Sequence, residues 1–330
     1  MWGWGVVTDV RRIDVHHHVA TRYNPIYDVA PDNEWWTVDN ALRVMDDNAI
    51  EWAVLSGSPA LPQSRRMLNA MMAVRDGWPG KTAPIRAAMR RGARSANEAT
   101  ATLASSHPDR FGWYATVALP DGDDAAREVV YALDELGADA IYMPTNVGPL
   151  YLGDPRLDPV LTELDARSAT VLVHPLHLPC PLVAGIPGHV VDFLLSTARA
   201  ATNLVYRGAV RRFANIRFIF THAGGFIPYA LQRISLTLAH LDPDRTVDDI
   251  EADFKSFYYD LALATAPSTV AALLANVPAS QVVYGSDYPF NQPHGIALFT
   301  NQLDAIDTDD TTRQSIARHN AQRLFPRLGR

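Results

Sequence analysis

The sequence has almost no cysteine and no long apolar run. Cys180 is the single cysteine among 330 residues, which excludes an internal disulfide and is typical of a reducing compartment. No uninterrupted apolar stretch approaches the ~18 residues that a membrane-spanning helix needs. The first residues, 1–5, also lack the basic and then apolar pattern of a signal peptide. We therefore expect a cytoplasmic protein without a membrane partner.

Positive charge is also scarce. The chain has 29 Lys and Arg against 36 Asp and Glu, with a formal net charge of -7. A nucleic-acid-binding surface needs concentrated Lys and Arg, so this balance argues against a nucleic-acid partner and favours a small molecule. The one marked basic cluster, residues 85–94, is typical of a solvated helix face.

Short β-rich runs alternate with helical patterns along the chain. Such alternation predicts parallel strands joined by helical crossovers. The eight predicted strands are residues 12–18, 52–56, 111–117, 140–143, 170–174, 216–222, 257–261 and 282–287. Eight is the number of strands that closes a (β/α)8 barrel. The sequence therefore predicts the α/β class and a single TIM-barrel domain over residues 1–330, with small helical or loop insertions.

Several connections can be interpreted from local signals. Residues 37–48 and 124–136 have the apolar spacing of helices. Thr37 is the predicted N-terminal cap of the first helix, and Gly137 is the predicted C-terminal stop of the second. The aromatic-rich residues 22–36 are either a lid or a packed surface loop, and residues 59–93 could hold an extra helical pair. The four prolines of residues 175–187 predict an irregular loop.

A histidine triplet closes the first predicted strand. Side chains alternate along an extended strand, so His16 and His18 share one face while His17 points the opposite way, as a structural residue in the barrel wall. Two imidazoles on one face supply half of a metal site. Without further ligands, the pattern could equally be a run of histidines at a polar edge.

Further ionisable residues lie at or near the ends of other apolar strands. In a barrel these ends converge on the face where active sites form, and burying such groups is costly unless they are paired or bound to metal. The residues are His174, His222, Asp260 and Asp287. Together with His16 and His18, His174 and Asp287 make a donor set suited to Zn²⁺ and acceptable to Mn²⁺ or Fe²⁺.

These motifs resemble the amidohydrolase superfamily, within it the group of amino-carboxymuconate-semialdehyde decarboxylase and metal-dependent aromatic-acid decarboxylases. The resemblance covers nearly the whole chain. It rests on Ile13–His18 and on residues 107–112, 173–175, 221–225, 285–290 and 320–321. Residues 151–155 and 257–260 look most like the branch associated with 6-methylsalicylate decarboxylase.

The resemblance implies a function and a site. His16, His18, His174 and Asp287 match metal ligands, and His222 matches the histidine that works beside the metal. The implied reaction is non-oxidative decarboxylation of a small aromatic, salicylate-like, or unsaturated carboxylic acid. Either His222 or Asp287 would deliver the proton.

The resemblance also implies one divalent metal, Zn²⁺ first and Mn²⁺ second, with no organic cofactor and a homodimeric assembly. His177, in the proline-rich loop, either lines the substrate pocket or faces solvent. Asp260 is a candidate to orient a neighbouring ligand.

Two alternatives stay open. A hydrolase could use the same centre to attack a lactone, amide or ester, because fold and ligands do not fix the reaction. The second alternative is a non-catalytic binding protein built on the same barrel. Loss of metal ligands would indicate such a protein, but none of the matched ligand positions is lost. Several aromatic-acid decarboxylases of the group have Glu where His16 stands, which leaves the substrate open.

Overall fold

The structure is a computed structural model that describes residues 10–19, 36–57, 83–176, 178–181 and 183–328. In that part of the chain, eight strands form one sheet and two more form a hairpin. The sheet strands are β1 Arg12–His18, β2 Ile50–Ser56, β3 Phe111–Thr116, β4 Ala140–Pro144, β7 Thr170–His174, β8 Arg217–Phe220, β9 Tyr258–Asp260 and β10 Val282–Val283. The hairpin strands are β5 Asn146–Val147 and β6 Leu150–Tyr151.

Helices occupy most connections between the sheet strands. Within the described ranges they are α1 Val38–Asp47, α2 Ala83–Ser106, α3 Gly122–Val130, α4 Asp158–Ala166, α5 Gly188–Tyr206, α6 Ala209–Arg212, α7 Ile227–Leu241, α8 Val247–Lys255, α9 Pro267–Asn276, α10 Pro293–Asp304, α11 Asp310–Gln314 and α12 Asn320–Leu324. Single π-turns, Tyr131–Glu135 and Ser315–His319, continue α3 and precede α12. None of the described helices is long and apolar enough to cross a bilayer.

All neighbouring strands of the sheet pair in parallel, in the order β1-β2-β3-β4-β7-β8-β9-β10. The segment that follows β10 runs beside β1. There, Val15 N–H donates to Tyr284 O over 3.0 Å, and His18 N–H donates to Tyr288 O over 2.7 Å. These bonds join the two ends of the sheet, so the predicted (β/α)8 barrel is confirmed.

Apolar side chains fill both faces of the barrel wall. One buried cluster lies between the strands and the surrounding helices and includes Leu55, Phe111 and Val173. A second cluster combines Val15 and Leu172 with side chains of other strands and of the chain's last helical segment. Strands buried on both faces need such continuous apolar runs, which explains why the sequence pattern identified them.

Most predicted helices and loops agree with the structure. Helix α1 begins after Thr37, whose side chain accepts the backbone N–H of Asn40, as the capping signal predicts. Gly137 has a left-handed φ of 70° after the π-turn that continues α3. The described part of residues 175–187 contains no helix or strand. Residues 20–35 and 58–82 lie outside the described residues. This leaves out the predicted lid or surface loop except Trp36, and also the first part of the predicted helical insertion.

Two strands end earlier than the sequence predicted. Strand β8 ends at Phe220 and β10 ends at Val283, although strands to residues 222 and 287 were expected. His222 and Asp287 have φ values of 56° and 57°, a left-handed conformation that cannot continue a strand. Both side chains therefore leave from turns beyond the strand ends.

The basic cluster lies on a helix, as predicted, and its arginine side chains are partly exposed to solvent. These arginines also form ion pairs that the sequence did not predict. Arg86 and Arg90 on α2 donate to the buried Asp124 over 2.9 and 3.1 Å, and Arg94 donates to the buried Glu128 over 3.0 Å. The arginines thus bind α2 to α3.

Candidate metal centre

Four side chains bring one ligand atom each to a single point at the C-terminal end of the barrel. They are His16, His18, His174 and Asp287, all buried, with ligand atoms within 4.8 Å of one another. His16 Nε2 lies 3.0 Å from His18 Nε2, and Asp287 Oδ1 lies 3.3 and 3.0 Å from these two nitrogens. Donors bound tetrahedrally to one Zn²⁺ at normal bond lengths lie roughly 3.3 Å apart, so the spacing fits an ion.

Strand β1 supplies two of these ligands through an irregularity. Its pairing with β2 shifts register between Asp14 and His17. Val15 packs in the apolar cluster with Leu172, while His16 and His18 lie beside His174. A regular strand would place Val15 and His16 on opposite faces. The register shift therefore directs both histidines toward the centre of the barrel.

Each imidazole is fixed by a partner on its Nδ1 atom. His16 Nδ1 lies 2.8 Å from Asp260 Oδ2, and His174 Nδ1 lies 3.0 Å from Pro175 O. His18 Nδ1 lies 2.8 Å from Ser56 Oγ, whose hydroxyl can donate to His17 O at 3.3 Å and so accept from His18. Protons on the three Nδ1 atoms leave three unprotonated Nε2 atoms, which is the tautomer that a metal requires.

Asp287 is held by the turn that follows β10. Its N–H donates to His16 O over 2.8 Å. The preceding Ser286 donates its N–H and its hydroxyl to Asp14 at 2.9 and 2.5 Å. Asp14 is itself fully buried in β1 and also accepts the N–H of His16. The histidine strand and the aspartate turn are therefore tied together by one carboxylate.

Electrostatics at the site favour bound positive charge. Burial, together with the adjacent His18 and His16, holds the pKa of His174 well below its usual range. Burial also lowers the pKa of His18. Although burial alone would raise the pKa of Asp287, His16 and the other neighbouring imidazoles hold it well below its usual range. His18 and His174 are thus neutral imidazoles beside an ionised carboxylate, which are suitable donors for a divalent cation.

His16 is the exception among the three imidazoles. Burial opposes its protonation, but Asp260 and Asp287 raise its pKa to about 9. A metal ion and a proton therefore compete for the same Nε2 atom.

His222 lies beside the four candidate ligands and is not part of that group. Its ring centre is 5.2 Å from that of His16, and its Nε2 is 3.5 Å from Asp287 Oδ2. Its Nδ1 is buried and has no hydrogen-bond partner among the described residues. The Gly224–Gly225 pair that follows permits close packing, because a Cβ on Gly225 would meet Leu194 O at 2.2 Å.

Aromatic rings lie next to the candidate ligands. Tyr142 stacks on His174 with ring centres 5.6 Å apart, and Phe290 contacts the edge of His18 at 5.0 Å. Phe193 also lies near His174, at 6.4 Å. The site therefore offers flat apolar surfaces next to a charged centre.

The remaining predicted residues have mixed outcomes. His17 points away from the ligands, lies 3.1 Å from Asp14 Oδ2 and accepts the indole N–H of Trp36, as expected for a structural residue. His177 lies outside the described residues. Sequence reasoning missed Ser56 and gave Asp14 no role. Ser56 carried the same signal as the other site residues, a polar residue that ends an apolar strand.

The family profile described as Amidohydrolase matches residues 13–327. The chain belongs to the amidohydrolase family. This match includes all four candidate ligands and His222, and it agrees with the resemblance inferred from the motifs.

Curated relatives carry decarboxylase names. A 6-methylsalicylic acid decarboxylase of Penicillium expansum is 30% identical over 96% of this chain and 97% of that protein. The 6-methylsalicylic acid decarboxylase of Aspergillus aculeatus is 32% identical over 72% of this chain and 76% of that protein. The fold matches that of a dihydroxybenzoic acid decarboxylase from Polaromonas sp. JS666 with bound manganese, with a TM-score of 0.75 and 23% identity over 96% of this chain and 97% of the other.

Proposed function

We propose that this amidohydrolase-family chain is a metal-dependent, non-oxidative decarboxylase of a small aromatic carboxylic acid of the salicylate type. The observation that carries the proposal is the convergence of three Nε2 atoms and one carboxylate beside aromatic side chains. The decarboxylase names of relatives that match nearly the whole chain support the reaction type.

The proposed ligands are His16, His18, His174 and Asp287. A divalent ion held there supplies positive charge that offsets the negative charge of a substrate carboxylate and its ortho hydroxyl. The protein contributes orientation, because the ring of Phe290 at the edge of His18 gives an aromatic substrate a surface to pack against.

Loss of CO2 from an aromatic acid requires a proton on the ring carbon that carries the carboxylate. The bond between that carbon and the carboxylate then breaks, and its electron pair restores the aromatic ring. His222 and Asp287 are the groups that we propose for this transfer, since His222 Nε2 lies 3.5 Å from Asp287 Oδ2. We assign Asp287 as a ligand first and a proton shuttle second, with His222 as its exchange partner.

The test is CO2 release from 6-methylsalicylic acid and from 2,6-dihydroxybenzoate, with 3-hydroxybenzoate as a substrate lacking the ortho hydroxyl. We expect release from the ortho-hydroxy acids only, and its loss after complete chelation. His174→Ala should lose at least ~100-fold in activity, because even partners of metal ligands cost 10- to 100-fold. A matched His107→Ala variant, at the end of α2 beside Ser106, should retain it.

Other outcomes would redirect the proposal. Hydrolysis of a lactone, amide or ester without CO2 release would identify the hydrolase alternative. Undiminished activity in His174→Ala, or after full chelation, would exclude the metal mechanism.

We propose Zn²⁺ as the resident ion, with Mn²⁺ as the second candidate. Three imidazoles favour Zn²⁺, whereas the carboxylate also suits Mn²⁺. Elemental analysis of protein purified without added metal distinguishes the two, and reconstitution of the metal-free protein with each ion shows which one restores CO2 release.

We also propose a homodimer. Its support is the exposed apolar side chains of Val190 on α5 and Tyr229 on α7, which are 52% and 93% exposed. Light scattering on the purified protein tests this assembly.

The chain is proposed to be one domain over residues 1–330, because barrel strands follow one another from Arg12 to Val283. A single thermal unfolding transition is the expected result. A cytoplasmic location is proposed from the single exposed Cys180, and cell fractionation tests it.

A further inference from the structure

We infer that Asp260 is a positioning residue that holds both the metal ligand His16 and the proton-transfer residue His222. Its Oδ2 lies 2.8 Å from His16 Nδ1. Its Oδ1 accepts the backbone N–H of His222 over 2.9 Å and that of Ala262 over 3.0 Å. The inference rests on the proposed function and assigns one fully buried carboxylate to two parts of the same reaction.

Only a carboxylate satisfies this arrangement. The backbone N–H groups of His222 and Ala262 can only donate, and His16 must donate from Nδ1 if its Nε2 is to bind a metal. An acceptor is therefore needed at both ends of the side chain. An Asn at this position offers one acceptor and one donor, so one end would face an N–H group of the same kind.

The two orientations of such an Asn have different consequences. With its NH2 group toward His16, the imidazole accepts at Nδ1 and carries its proton on Nε2, which points at the other ligands. With its NH2 group toward His222, two backbone N–H groups lose their acceptor in a buried site, which is costly.

His222 depends on this bond because its backbone is strained. His222 and the following Ala223 have φ values of 56° and 55°, in the left-handed region that is strained for non-glycine residues. The bond from His222 N–H to Asp260 connects this turn to the neighbouring strand β9. It thereby fixes where the imidazole stands relative to Asp287 Oδ2, 3.5 Å away.

The Asp260 side chain is closely packed. A Cβ added to Gly285 would lie 2.8 Å from His16 Cβ and 3.2 Å from Asp260 Cγ. The glycine thus lets the chain after β10 press directly against both side chains. Strand β9 lies between β8 and β10, which fixes the Asp260 backbone from both sides.

The test compares Asp260→Asn with two matched variants in the full-length protein. Asp139→Asn changes another buried carboxylate, which accepts the N–H of Trp113 at the opposite end of the barrel. Ser56→Ala removes the group on His18 Nδ1 and does not touch His222. Zn²⁺ and Mn²⁺ affinities are measured on metal-stripped protein by competition with a chromophoric chelator, and kcat is measured at saturating metal.

Asp260→Asn should weaken metal affinity about 10- to 100-fold. Its kcat should also stay below the wild-type value when metal is saturating. Ser56→Ala should lose affinity but recover kcat with excess metal, because only a ligand is affected. Asp139→Asn should change neither quantity. The residual kcat defect separates a role toward His222 from a role toward the metal ligand alone.

Several results would overturn the inference. If the wild-type protein binds a divalent metal and Asp260→Asn binds it equally well, Asp260 does not position His16. If excess metal restores the full wild-type kcat in Asp260→Asn, Asp260 does not position His222. If the wild-type protein binds no divalent metal, the proposed function fails together with this inference.

Circular dichroism first establishes that Asp260→Asn is folded. If it is not, Asp260→Glu takes its place, which keeps both acceptor oxygens and displaces them by one methylene. Wild-type affinity and kcat in a folded Asp260→Glu variant would also reject the role.

Discussion

His16 Nε2 and His18 Nε2 face each other at 3.0 Å in the buried centre of the barrel. Each ring already has a partner on Nδ1, Asp260 for His16 and Ser56 for His18. Two nitrogen lone pairs at this distance repel unless a proton or a cation lies between them. The pair is therefore stabilised by whatever binds there, and metal occupancy should contribute to the stability of the whole fold.

Metal removal should lower thermal stability. A ligand that binds only the folded state adds about 4 kcal/mol when its concentration is 1,000 times its Kd. We expect the melting temperature of chelator-treated protein to rise on addition of Zn²⁺ or Mn²⁺, and Ca²⁺, which prefers oxygen ligands, to have little effect. Identical melting curves with and without Zn²⁺ or Mn²⁺ would contradict metal binding at these nitrogens.

His222→Asn and Asp287→Asn should separate metal binding from proton transfer. Asp287 lies within 3.3 Å of two imidazole nitrogens, so its amide variant should lose both metal and activity. His222 lies outside the ligand group and its Nδ1 has no partner among the described residues, so His222→Asn should keep its metal. A reduction in kcat of about 100-fold or more is expected from loss of a general acid or base.

The measurements for this pair are metal content by elemental analysis and CO2 release. A His222→Asn protein without metal would assign His222 to the ligand set instead.

Gly285→Ala should distort the candidate metal site by a steric clash, without removing any polar group. The added methyl would lie 2.8 Å from His16 Cβ, and backbone and side chain must both shift to relieve this overlap. We expect weaker metal affinity and a lower free energy of unfolding. Gly137→Ala is the matched control, because Gly137 has a left-handed φ of 70° but open space around it. It should cost about 1 kcal/mol of stability and leave metal affinity unchanged.

Chelator competition and urea unfolding measure both effects. Equal metal affinity in Gly285→Ala and the wild-type protein would show that the turn after β10 tolerates displacement.

Asp124→Asn should lower stability in a pH-dependent way. Burial alone would raise the pKa of Asp124, but Arg86, Arg127 and Arg90 lower it below its usual range. A carboxyl whose pKa is lower in the folded state contributes stability that is complete above its unfolded pKa, about 4, and is lost as the pH falls through the folded value. We expect a loss of about 2 kcal/mol at pH 7 that shrinks below about pH 4.

Urea unfolding of the wild-type protein and of Asp124→Asn at pH 7, 5 and 3 measures this difference in the free energy of unfolding. Asp123→Asn, at the exposed neighbouring position, should have little effect at any pH. A destabilisation of Asp124→Asn that stays constant down to pH 3 would argue against the charged contacts between α2 and α3.

Much of the fold was predictable because its signals are local. The apolar runs that form β1 and β7 and the Thr37 cap of α1 depend only on neighbouring residues. The pairing of His16 with His18 on one face follows from strand alternation. Polar residues at the ends of apolar strands identified His174 for the same reason.

The ion pairs between helices could not be predicted from the sequence. The basic run on α2 reads as a solvated face because its acids, Asp124 and Glu128, lie 34 residues or more beyond the arginines that bind them. Spacing along one helix contains no information about a neighbouring helix.

The sequence by itself thus determined the eight strands, the helices α1 and α3 and the donor types of the candidate site. The tertiary structure alone decided the direction of β1 after its register shift and the left-handed turns at His222 and Asp287. These turns depend on bonds between distant parts of the chain, because Asp14 holds Ser286 across 272 residues and Asp260 holds His222 across 38. Such conformations are costly for an isolated peptide and persist only where the folded barrel supplies their partners.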